Sequence, residues 1–135
     1  MRYLFLFFLL TQSVLSYSQF LVGDSKVLAK SVLEKEKIKF TENKLTDSTH
    51  RISWIVENEY QMILIFNTDN IITKQTIIPE KENGVNEFVK WFNKDFVIIS
   101  NTEWRNYANG RIYNIKLKYI LREPFFSITL DSISE

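Results

Sequence analysis

The side chains equipped for acid, base or nucleophile chemistry are few. His50 is the lone histidine and there is no cysteine. A Ser-His-Asp arrangement would have to recruit His50, which follows Asp47, Ser48 and Thr49 in one turn-like stretch. Triad members come from separate elements, and the glycines of a nucleophile elbow are missing. Zinc needs three or four ligands at set spacing, and His50 has no second imidazole or thiolate to join it. It reads as an exposed turn residue. Asn67-Thr68-Asp69-Asn70 supplies oxygens without the glycine and distal glutamate of a calcium loop, so turn chemistry accounts for it. Glu57 with Glu59 and Glu80 with Glu82 are the carboxylate pairs open to glycosidic hydrolysis. Each pair lies in a polar connection, where solvated charge is the ordinary state. No glycine-rich phosphate loop occurs, so no cofactor is implied and no catalytic or metal-binding residue is assigned.

Binding chemistry is better represented. Tryptophan and tyrosine at a surface mark contacts with proteins or sugars. Trp54 alternates with core positions of a strand and Trp104 fits the apolar face of a hairpin, so both are expected inside. Trp91 lies about 100 degrees around a helix from Phe92, on the flank of its apolar face. It is the candidate partner contact.

The elements that must position these residues follow from pattern. Asp24 is expected to cap a helix over Ser25 to Lys37, with Val27, Leu28, Val32 and Leu33 on one face. Ile38 and Phe40 begin an extended stretch, and Ile52, Trp54 and Val56 alternate after a turn at Thr46 to Ser48. Tyr60 to Phe66 is apolar on both faces, which predicts a central strand covered on both sides. Ile71 to Ile78 forms the next strand, stopped by Pro79, so that four strands make a meander. Val85, Phe88, Val89 and Phe92 define a second helix after Asn83-Gly84. Phe96 to Ile99 reads as a strand. Asn109-Gly110 is a strong hairpin turn whose register sets Trp104 opposite Ile115, Glu103 opposite Lys116 and Arg105 opposite Asn114, with the Trp104 face running on through Leu117 and Tyr119. Phe126, Ile128 and Leu130 close the set. The expected fold class is α+β, a two-layer arrangement of a mainly antiparallel sheet with two helices packed on it.

Arg2 followed by the apolar run Tyr3 to Leu10 has the form of a signal peptide. The run is less than half the ~20 residues that a spanning helix needs, so no stable membrane anchor is expected there. Ser16 and Ser18 place the cut after Ser18, leaving residues 19–135 as a single domain with Gln19 first. Loss of Arg2 leaves 16 cations against 16 acids. That balance argues against nucleic acid as a partner. Without cysteine, stability has to come from an ordinary core and no lipid-bearing N-terminus is available.

Asn101-Thr102-Glu103-Trp104, then Tyr107, Gly110 and Ile112 to Leu117, together with the signal peptide, resemble short exported proteins of unknown function from Bacteroidota. Gly23-Asp24-Ser25 opening a helix is similar to the start of outer-membrane assembly lipoproteins, whose lipid-bearing cysteine is absent here. The resemblance implies a periplasmic or extracellular location and carries no catalytic residue. Asp47-Ser48-Thr49 and Asp131-Ser132-Ile133 look like the acceptor sequence for O-glycosylation in such exported proteins, making Ser48 and Ser132 candidate sites. The expected function is a non-catalytic exported domain that binds a protein or cell-envelope component. The alternatives are an immunity or inhibitor protein against a toxin or hydrolase, and a small carboxylate-based hydrolase.

Overall fold

Among the described residues, alternating apolar residues broken by turn chemistry assemble one antiparallel sheet of eight strands, accompanied by two helices. The structure, a computed structural model, describes residues 20–131 apart from 47 and 109. The expected signal peptide, Gln19, Asn109 and Ser132 therefore lie outside the described residues. Helix α1 (Lys26–Lys35) precedes β1 (Thr41–Lys44), β2 (His50–Val56), β3 (Tyr60–Phe66) and β4 (Ile72–Pro79). Helix α2 (Gly84–Asp95) precedes β5 (Val97–Ser100), β6 (Glu103–Ala108), β7 (Arg111–Ile120) and β8 (Glu123–Leu130).

The strand order is β1-β2-β3-β4-β8-β7-β6-β5. Each half is thus a helix followed by a four-stranded meander, and the halves join where β4 meets β8. That repeat belongs to the architecture alone, since no internal repeat shows in the residues. The order also corrects one expectation. Strand β3 is third from an edge and the middle is held by β4 and β8. Its two-sided apolar pattern has another reason, because Ile63 and Ile65 stand half-buried on the second face of the sheet.

Cross-strand pairing sorts the residues into rows. Glu42, Ile52, Leu64, Gln75, Ile128, Ile115, Trp104 and Ile98 face one another in turn from β1 to β5. Strand side chains alternate between faces, so this row defines a first face. Its six middle members are all buried. Phe92 of α2 is fully buried, with its ring 5.4 Å from Trp104 and 5.1 Å from Phe126, and Phe88 lies 5.5 Å from Phe126. Lys26 of α1 reaches Glu42, His50 and the ring of Phe66 on the same face. The hairpin register stands as expected at Trp104, Glu103 and Arg105. The apolar face of β7 ends sooner than expected, because Tyr119 is exposed.

Gln75 is the one polar member in the middle of the first-face row, and its position has a cause. The segment before α1 runs beneath the sheet with Phe20, Leu21 and Val22 buried, and Gln75 Oε1 accepts the Leu21 N–H at 2.9 Å. A buried amide without such a partner would cost about 1–3 kcal/mol. Phe20 packs against Phe96 and Tyr113, and Arg111 donates to the carbonyls of Val22 and Gly23 and to Asp24. Gly23 has φ +93°, and a side chain there would meet Leu130 Cδ1 at 2.7 Å. Asp24 is therefore an ion-pair partner and not a cap. Ser25 caps α1 by accepting the Leu28 N–H. Of the expected face Leu33 is buried and Val32 half-buried, whereas Val27 and Leu28 are exposed and Ala29 is buried in their place. The helix ends at Lys35. Lys37 takes a left-handed φ and the Ile38 N–H returns to Leu33, while Ile38 and Phe40 approach β1 without joining it. Pro79, opposite Tyr60, is the last residue of β4, so the strand ends with the proline and not one residue before it.

Candidate functional site

The residues singled out for acid-base chemistry are dispersed. Glu57 and Glu59 are exposed in the β2–β3 turn, and Glu80 and Glu82 are exposed between β4 and α2. The Glu80 N–H donates to the Glu59 carbonyl, which brings the two turns together at one end of the sheet. Among the described residues, no three histidine, aspartate or glutamate side chains gather to hold a metal ion. No described helix is long and apolar enough to cross a membrane.

His50 is a strand residue and not an exposed turn residue as expected. It opens β2, half-buried, and its Nδ1 accepts from Lys26 Nζ at 3.1 Å. Lys26 also pairs with Glu42, which takes a second cation, Lys30, at 2.6 Å. Hydrogen bonds from Lys26 and then Lys30 hold the Glu42 carboxyl below its ordinary 4.5. A depressed folded value means stability present above 4.5 and lost as pH falls through the lower folded value. For so accessible a group the gain is small, ~0.5 kcal/mol. Between pH 5 and pH 3 the melting temperature of Glu42→Gln is expected to fall less than that of the parent; equal losses would remove Glu42 as the acid-sensitive group.

Two other groups are displaced, each for a structural reason. Burial raises the Tyr60 hydroxyl, whose ring meets Phe88 edge-on at 5.7 Å. The Asp24 hydrogen bond raises the Arg111 guanidinium further. These serve packing and the clamp on the entering chain.

Trp91 is half-buried on α2, with its ring 5.0 Å from Phe92 and its Nε1 donating to Asp95 at 2.8 Å. Only its remaining rim is available to a partner. Ser48 is exposed beside Thr46, whose Oγ1 accepts the Ser48 N–H. Ser132 lies outside the described residues.

The most extended surface is the second face of the sheet, which no single residue type announced. Thr41, Ser53, Ile63, Thr76, Ser127, Lys116, Glu103 and Ser100 form its middle row. Flanking rows add Arg51, Ile65 and Lys74 on one half and Arg105, Asn114 and Lys118 on the other. Ile55 is exposed on this face, Ile63, Ile65, Ile78 and Phe125 are half-buried, and Ser127 is buried at its floor. Five cations (Arg51, Lys74, Arg105, Lys116 and Lys118) stand against Glu103 and, at the far end, Glu123. Glu103 answers Lys116 at only 3.8 Å. The Nε of Arg51 is buried without an acceptor. A chain with formal charge +1 has thus concentrated cations on one aliphatic surface. Strand alternation placed the cations there, but only the strand order shows that they share one face. No family model matches this chain, and no match was found to a curated protein or to a solved structure.

Proposed function

We propose that this chain is an exported, non-catalytic domain that binds an acidic protein across the second face of its sheet, with both helices forming a second layer over the first face. The cation excess on an aliphatic surface carries this reading. Electrostatic complementarity steers a partner of opposite sign, and isoleucine side chains supply desolvated contact area. Nucleic acid fits less well, because single strands are held by exposed stacking aromatics and the middle of this face is aliphatic.

The test compares the parent with Lys116→Glu/Lys118→Glu in capture from an envelope extract. The parent is expected to enrich an acidic protein, and the double reversal to weaken that complex at least ~30-fold, about 2 kcal/mol. Melting temperature should fall only slightly, since both side chains are exposed and the one like-charge pair created, with Glu103, is solvated. Capture that ignores the reversal, or a preference for a labelled oligonucleotide, would overturn the reading.

Export has its own measurement. A cut after Ser18 spares the buried residues Phe20 to Val22. Mass spectrometry of the exported protein is expected to find Gln19, or its cyclised form, at the N-terminus. An intact Met1 in that fraction would remove the signal peptide.

A further inference from the structure

The two edges of the sheet are protected unequally. Strand β1 exposes Thr41, Glu42, Asn43 and Lys44, and Lys26 and Lys30 of α1 engage its Glu42. Both edge strands are four residues long, and it is the charge on β1 that discourages further pairing there. Strand β5 ends the sheet on the other side with Val97, Ile98 and Ile99 at 50%, 55% and 45% exposure. It has no charge and no proline, its one strand neighbour is β6, and a register shift between Ile98 and Ser100 is the one irregularity along it. The outward N–H and C=O groups of such an edge are a template for another strand.

We propose that β5 pairs antiparallel with β5 of a second copy, so that one sheet runs through both molecules. A twofold joint sets a segment against itself and succeeds only if that segment tolerates its own side chains. Val97-Ile98-Ile99-Ser100 puts no like charges opposite each other. The fold already joins two four-stranded meanders in this antiparallel manner, at β4 and β8. The nearest cations of the second face, Arg105 on β6 and its copy, would stand three strand spacings apart, ~14 Å. That exceeds the screening length of ~8 Å at physiological salt, so their repulsion does not oppose the joint. Four residues on each side bury little surface, so the dimer forms with rising concentration. The pairing stands without the proposed function. Where both hold, the twofold sets two cationic faces side by side.

The chain contains no cysteine, so one introduced thiol can bridge only to another copy. Ile98→Cys on β5 is expected to form a disulfide-linked dimer under mild oxidation, whereas Asn43→Cys on β1 stays mostly single. In sedimentation equilibrium the parent mass should climb from one copy toward two as concentration increases, and Ile98→Lys should remain at one. Melting curves establish that each variant is folded, and Ser100→Lys replaces Ile98→Lys if the latter is not. A parent that stays single at every concentration, equal cross-linking at the two edges, or a folded lysine variant that associates like the parent overturns the proposal.

Discussion

Trp104→Ala is expected to lower the unfolding free energy by ~3–5 kcal/mol, the usual cost of emptying a large buried aromatic site. Trp104 is 1% exposed, faces Ile115 and Ile98 across the sheet, and lies against Phe92 and Phe126. Its Nε1 also donates to Asn93 of α2 at 2.7 Å, tying helix to sheet. For a chain of this size the melting temperature should drop by roughly 10–20 °C. Trp91→Ala offers the comparison. Its ring keeps contacts with Phe88, Phe92 and Phe96 but remains partly open, so ~1–2 kcal/mol is expected. If thermal unfolding ranks Trp91 above Trp104, the division of this molecule into interior and surface is inverted.

Starting the chain at Gly23 should be more damaging still. The removed segment includes Phe20, Leu21 and Val22 at 5%, 5% and 1% exposure. Each such side chain contributes about 1.5–3 kcal/mol through burial, together comparable to the ~5–15 kcal/mol that holds a typical domain. The loss also strips Gln75 of the Leu21 N–H and Arg111 of the Val22 carbonyl. A chain starting at Gln19 should give a cooperative urea transition, and one starting at Gly23 should be largely unfolded before denaturant is added. Near-coincident midpoints for the two would show that the segment does not belong to the core.

Much of the fold was legible because local chemistry and pleat agree. The Asn109-Gly110 turn signal, the alternation around it and the Glu103–Lys116 pairing point to one register, and that register is present. Helix α2 was equally clear from Phe88 and Phe92. The first helix was misjudged at its start, because Asp24 and Ser25 are both good caps and a distant residue, Arg111, decides between them. The same kind of distance hid the role of Gln75, whose partner Leu21 lies far away in the chain. His50 was read from its neighbours at a turn, whereas its environment comes from Lys26 on α1. The second face was hidden for a related reason. Alternation shows which side chains of one strand share a side, but Lys74 and Lys116 meet on a surface only once β8 is inserted between β4 and β7.

The junction of β4 with β8 has a kinetic meaning. It consists of three residue pairs, Gln75 with Ile128, Thr76 with Ser127 and Ile77 with Phe126, against eight between β7 and β8. Within each meander the contacts close short hairpins, whereas these three span about fifty residues and carry the largest single loop-closure entropy. Nearest-neighbour hairpins form in about 1–10 μs, so the slow event is the arrival of the last strand at the fourth. Until then β4 is an open edge during synthesis, and a β8 from another nascent chain fits it as well as its own. Crowded refolding therefore favours exchange of whole halves between molecules, through the short connection from β4 to α2, and dilute refolding favours the closed monomer.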